Sequence, residues 1–213
     1  MTTKICIPIL LIATLFASDI NLNGKTTVEF QKTSNQSLNV KIQLGDIEFE
    51  QIEKNNQNYI VIKTDINHTT SEPGYPELPQ INNLIEIPYE ANSRIEIVTE
   101  SEEIYNLGDF NLDGVILPRQ PSVSKSVNIH DVPFTINNEA YSNNAFINSQ
   151  IAEIDEKGLL RAVRFGNLKI NPIAYNPTTK ELKIKKEIEL NIIFDNANYT
   201  LTENEKARLY SPY

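Results

Sequence analysis

The chain has 213 residues, 40% hydrophobic and 22% charged, with a formal net charge of -9. That length suits one domain of ordinary size, or one domain with a tail, and the apolar share suffices for a packed core. The acidic balance excludes a reader of phosphate backbones, which needs clustered Lys and Arg. The densest basic spot is Lys183, Lys185 and Lys186, and its alternation with Leu182 and Ile184 assigns it to the wet face of a strand.

The first element is a targeting segment. Lys4 precedes an apolar run over residues 5–16, and the small residues Ala17 and Ser18 follow. This is the order of a secretory signal, and it is too short for a comfortable membrane span. The expectation is a signal peptide over 1–18 and an exported chain, secreted, periplasmic or at the cell surface. Cys6 is the single cysteine. A mature chain without it has no disulfide, thiolate metal site or Cys nucleophile. Residues 19–25 are polar and contain Gly24, and read as a linker.

Beyond the linker, period-two alternation dominates. Val28 and Phe30, then Leu38, Val40, Ile42 and Leu44, then Ile47 and Phe49, then Tyr59 and Val61 alternate with polar neighbours. Polar turns at 33–37, 45–46 and 55–57 separate them. Residues 66–79 form a long loop or strand lead-in. Strand patterns resume at Leu84 and Ile85, at Ile95 and Ile97, and at 104–107. Residues 122–144 are a polar excursion with a short strand. Two strands follow over 145–154 and 159–173, about a turn at Glu156-Lys157-Gly158. Leu182 to Ile184 and Ile188 to Phe194 close the sheet. Abundant Ile and Val, with almost no 3.6-residue period, predict an all-β domain over 26–196: an antiparallel, immunoglobulin-like β-sandwich. Residues 197–213 read as a tail or linker toward a further domain. Thr202 and Glu205 have capping-box spacing there, so the segment is either a short helix or a frayed tail.

The chemical constellations are weak one by one. Asp109, Asn111, Asp113 and Gly114 imitate the start of a calcium loop, but its twelfth position requires Glu and holds Gln120, so a polar turn is expected. Gly24-Lys25-Thr26 lacks the upstream glycine of a phosphate loop. His68 and His130 stand apart from each other and read as solvated loop residues; no nucleophile elbow accompanies His130-Asp131. Glu100, Glu102 and Glu103 read as a solvated strand end. Asn35, Asn67 and Asn198 head Asn-x-Ser/Thr triplets that asparagine-rich sequence produces by chance. Arg161 and Arg164 are expected on opposite faces of one strand, at least one of them in an ion pair. The sequence offers no metal site, cofactor loop or catalytic group.

Four proline phrases stand out: Gly74-Tyr75-Pro76-Glu77-Leu78-Pro79, Ile87-Pro88, Leu117-Pro118-Arg119-Gln120-Pro121, and Pro172-Ile173-Ala174-Tyr175-Asn176-Pro177-Thr178. Proline fixes φ and donates nothing to a ladder, so each marks a strand start, an edge or a turn. With Ala140-Tyr141 and the residues from Gly158 to Arg161, their order over 30–196 resembles the propeptide domain of gingipain-type cysteine peptidases. The resemblance implies an exported bacterial zymogen segment. It implies a domain that assists folding of a caspase-like catalytic domain and inhibits it until cleaved, in cis or in trans. It implies no catalysis by this chain, since the matched residues are scaffold and the catalytic domain is absent from the sequence. Arg119 and Lys125 flank an extended Pro-containing stretch, and either can be an exposed basic residue or an anchor in a basic-specific protease cleft, Arg119 being the first choice. The competing function is a secreted β-sandwich binding or adhesion module without enzymatic activity.

Overall fold

The computed structural model describes residues 19–34, 36–127 and 132–209. The expected signal segment, Cys6, Asn35, His130, Asp131 and the last four positions lie outside the described residues.

The strands are β1 (Asp19–Ile20), β2 (Thr27–Ser34), β3 (Ser37–Gln43), β4 (Ile47–Lys54), β5 (Gln57–Lys63), β6 (Ile81–Glu86) and β7 (Asn92–Asn106). After a 3-10 turn at Leu107–Phe110 come β8 (Val115–Ile116) and the short helix α1 (Asn138–Ser142). Then follow β9 (Ala152–Leu160), β10 (Val163–Ile170), β11 (Ile173–Asn176), β12 (Glu181–Asp195) and α2 (Tyr199–Leu209). The architecture is a mostly antiparallel β-sandwich with a short C-terminal helix. Its three sheets have the orders β1-β4-β5-β8, β6-β10-β9 and β11-β12-β3-β2, the last joined by β7 on the free side of β12.

The central sheet turns on β12. One flank pairs first with β11 and then with β3, while β7 runs along the whole other flank. Between Lys185 and Glu187 the register shifts by one residue, and β7 shifts between Thr99 and Ile97. An extra residue flips the alternation. Leu182 and Ile184 therefore enter a core with Ile47, Phe49, Ile60 and Ile116 of the first sheet. Ile188, Leu190 and Ile192 enter a second core with Ile81, Ile85, Leu168 and Ile170.

Several local expectations change. Asp19 and Ile20, assigned to a linker by composition, pair with β4, and Ile20 is buried. The hairpin between β9 and β10 turns at Arg161 and Ala162, not at Gly158. Arg161 has φ of 56° there, and Gly158, at φ of 111°, lies next to a bulge within the strand pair. Arg161 thus leaves the strand, while Arg164 pairs with Glu156 at 2.6 Å and donates to the carbonyls of Pro88 and Ala91. The polar excursion holds the helical turn α1 where a short strand was expected. Thr202 is not an N-cap: α2 starts three residues earlier, where the Asn198 side chain accepts from the Leu201 N–H. The Thr202 hydroxyl instead accepts from the Tyr89 N–H.

The basic triplet is also corrected. Lys185 is buried, its side chain 2% exposed, because the bulge sets it on the face that becomes the second core. Glu102, paired opposite it, lies 4.0 Å away and also contacts Lys183 at 3.2 Å. Glu100 and Glu102 are therefore mid-strand groups of β7, not a strand end. Burial lowers the Lys185 pKa, and Glu102 and Glu100 oppose that shift. The folded state thus holds this proton less tightly than the unfolded chain. The penalty is full below the folded pKa and vanishes as pH rises through the ordinary lysine value of 10.5. Replacing Lys185 by Met should raise stability by about 1 kcal/mol near neutral pH. That gain should shrink toward pH of about 11, as urea midpoints of both proteins across the pH range will check.

Candidate functional site

Two of the four proline phrases meet at one place. β8 pairs with β5 in parallel, with Val115 opposite Tyr59 and Ile116 opposite Ile60. The ladder continues past the strand: the Leu117 N–H donates to the Ile60 carbonyl at 2.8 Å. Pro118 then bridges Pro76. Neither proline can donate, so their neighbours do. The Glu77 N–H donates to Leu117 at 2.9 Å; Arg119 donates to Tyr75 and Gly74 to Arg119, each at 2.8 Å. The strap is entered through Gly114, whose φ is 135° and where a Cβ would come within 2.5 Å of the Asn58 carbonyl. No side chain fits there without displacing β5.

Tyr141 of α1 secures the strap from beneath. Its hydroxyl donates to the Ile116 carbonyl at 2.6 Å. Burial raises its pKa far above the ordinary tyrosine range, with Tyr175 and Tyr59 adding to the shift. Burial likewise pushes Tyr175 up to about 12. Asn137 caps α1 by accepting from Ala140 and donates its own N–H to Gly74 at 3.0 Å. The returning segment is tied again by Phe134, whose ring lies 5.3 Å from that of Tyr59 and under the Lys54 ammonium.

The two candidate basic residues have different surroundings. Arg119 sits inside the strap. Its guanidinium donates to Glu77 at 2.6 Å and to the Thr69 hydroxyl at 3.4 Å, and Thr69 also donates to Glu77. Lys125 sits six residues further, exposed, in a turn closed by the Val127 N–H on the Ser124 carbonyl at 3.0 Å. It has no ion pair among the described residues. Val123 and Val127, on either side of it, are exposed as well. The strap brings Arg119 to Glu77 and leaves Lys125 outside, without an ion pair among the described residues. Sequence reasoning missed Gln120, Phe134 and the anchoring role of Tyr141; the pair Ala140-Tyr141 was the one signal for the last.

The remaining candidates do not converge. Asp109 lies in the 3-10 turn, Asn111 is left-handed at φ of 56°, and Asp113 contacts Lys180 at 3.5 Å. Among the described residues no group of three or more His, Cys, Asp or Glu is placed to hold a metal. No helix among them is long and apolar enough to cross a membrane.

Comparison with known proteins places this β-sandwich in a family. Residues 19–209 match the Propeptide_C25 family, and the chain belongs to that family. It is 27% identical to Lys-gingipain of Porphyromonas gingivalis over 198 residues, covering 92% of this chain and 11% of that protein. It is 25% identical to gingipain R1 of the same organism over 81% of this chain and 17% of that protein. The chain thus spans about a tenth of the length of the Lys-gingipains it matches. Among solved structures, one described as concerning the zymogenic latency of gingipain K from Porphyromonas gingivalis superposes with a TM-score of 0.76 at 27% identity. That likeness covers 84% of this chain and 98% of the other. A complex of the pro- and mature domains of RgpB from that organism gives a TM-score of 0.69 at 21% identity over 80% and 85% of the two chains. The matched region is a propeptide domain, distinct from a catalytic domain.

Replacing Arg119 by Met should lower stability by up to about 1 kcal/mol, since the pair it breaks is half-exposed. Replacing Lys125 by Met should change stability by less than about 0.5 kcal/mol. Thermal melting of the two variants beside the parent measures the difference.

Proposed function

We propose that the chain is the exported propeptide of a gingipain-type cysteine endopeptidase. It assists folding of the caspase-like catalytic domain and occupies its active site until removed, acting in cis or in trans. The supporting observation is Lys125: an exposed, unpaired lysine among the described residues, beyond a stem tied to β5 through Leu117 and to Thr135 through Gln120. A protease cleft specific for basic side chains captures such a residue with a buried carboxylate, and here the side chain is offered from a turn and not from the extended segment expected from sequence. The relatives matched over 92% of the chain are named Lys-gingipain, and a lysine anchor fits that name. Arg119 is the weaker anchor, because its capture would first break the 2.6 Å contact to Glu77. Export follows from the pattern of residues 1–18.

The test mixes the purified chain with the catalytic domain of a Lys-gingipain and measures hydrolysis of a lysine peptide. Inhibition at sub-micromolar concentration is expected. Lys125→Ala should weaken it at least about 30-fold, as for loss of a desolvated charged anchor. Arg119→Met should stay within about fivefold of the parent. No inhibition by the parent chain at micromolar concentration, with no gain in refolding yield of the catalytic domain, would refute the proposal.

A further inference from the structure

The loop that carries Lys125 is closed by one side chain. The Gln120 amide oxygen accepts from the Thr135 N–H at 2.9 Å, and its Nε2 donates to the Thr135 carbonyl at 3.0 Å. The same Nε2 donates its second hydrogen to the Pro118 carbonyl at 2.9 Å. The amide thus exchanges two hydrogen bonds with one residue, as a paired strand residue would, across fifteen positions of sequence. Both Gln120 and Thr135 are half-buried. Only an amide fits this place. Glutamate offers no donor to the two carbonyls, and an apolar side chain leaves three backbone groups without partners. Gln120 is also the residue that breaks the calcium pattern, where Glu would be required. Its amide is what the loop uses.

We infer that Gln120 is the positioning residue that makes the Lys125 loop an inhibitor and not a substrate. The inference rests on the functional reading above. Proteolysis needs an extended segment on both sides of the scissile bond to settle into the cleft, which a flexible loop provides at small entropic cost. Gln120 fixes the stem five residues before Lys125, and Phe134 and Thr135 fix the returning segment beside it. With the stem fixed, the lysine side chain is offered from a turn closed by the Val127 N–H on the Ser124 carbonyl at 3.0 Å, which holds the Lys125–Ser126 bond out of the extended form that cleavage needs. Pinning the ends also shrinks the ensemble that binding must order, which favours affinity. The Thr135 side chain takes no part: both bonds use its backbone.

The test has two arms. In the first, the folded parent chain, Gln120→Met and Gln120→Glu are exposed to a lysine-specific endopeptidase, and cutting after Lys125 is followed by mass spectrometry. Both variants should be cut there at least about tenfold faster than the parent, with the other lysines cut no faster. Equal rates at Lys125, or a uniform increase at all lysines, overturns the inference. In the second arm the catalytic domain of a Lys-gingipain is the target. The parent should inhibit and stay intact, whereas the variants should inhibit at least about tenfold more weakly and be consumed. A parent that inhibits alongside variants that inhibit equally and remain intact overturns the role of Gln120. A parent that does not inhibit overturns the functional reading, and the first arm still decides on the clasp. Should both variants misfold, hydrogen exchange of the unmodified chain decides: the Thr135 amide should exchange at least about tenfold more slowly than that of Ser126, and equal exchange overturns the clasp.

Discussion

The structure depends on one misalignment. If β12 kept strict alternation over its fifteen residues, all its buried apolar side chains would share one face. The extra residue near Lys186 lets the first third of the strand feed one core and the remainder another, on opposite sides of the sheet. β7 has its own extra residue, at Val98, a few positions away, so the two strands stay paired along their full length. Two small sheets then cover opposite faces at opposite ends of the central one. Neither core is large, but they share one strand, so loss of either removes support from the other. The lysine at the junction is the local consequence: a charged side chain is carried to a place where neither face is wet.

The Lys125 loop grows from the end of the molecule built on the first core. Ile116 is wholly buried in that core, and the chain leaves it directly for Leu117, Pro118 and Arg119. The root of the loop therefore inherits the rigidity of β5 and of the phrase from Gly74 to Pro79. Prolines serve here for what they lack. Each removes a donor and a backbone freedom, and the register between the two phrases is set by the residues that can still donate, Gly74, Glu77 and Arg119. Aromatic contacts do the same for the returning limb, with Phe134 against Tyr59.

Most strands were legible because a half-buried strand writes a period of two into the sequence, and so was the family, because the proline phrases keep fixed order. What escaped had physical causes. Gly158 carries the strongest turn signal of its region, yet its positive φ sits in a bulge, and the turn falls at Arg161, a residue with no preference for the left-handed region it occupies. Alternation with a single phase makes Lys185 wet, and the bulge that changes the phase has no reliable signature in one sequence. The two-residue strand at Asp19 is too short to show a period; its pairing is fixed by Ile20 reaching the core. Gln120 was visible only as the wrong residue for a metal. Its role requires knowing that Thr135 comes back beside it, and sequence does not reveal closure over fifteen residues.

The two basic candidates show why burial and pairing decide what composition leaves open. In sequence, Arg119 and Lys125 flank the same extended stretch, and arginine is the better residue for a buried carboxylate. The fold gives the two residues different surroundings. Arg119 is held where its planar guanidinium can meet Glu77 and Thr69 together, a geometry that suits arginine and serves the stem. Moving it into another protein's pocket would leave Glu77 half-buried without its cation and loosen the contact between the proline phrases. Lys125 has nothing of this kind to lose among the described residues. Its flexible, strongly hydrated ammonium is a poor structural element at that turn and a suitable probe for a pocket, because capture replaces water and not a protein partner. On the proposed reading, the arginine fixes the stem and the lysine is presented.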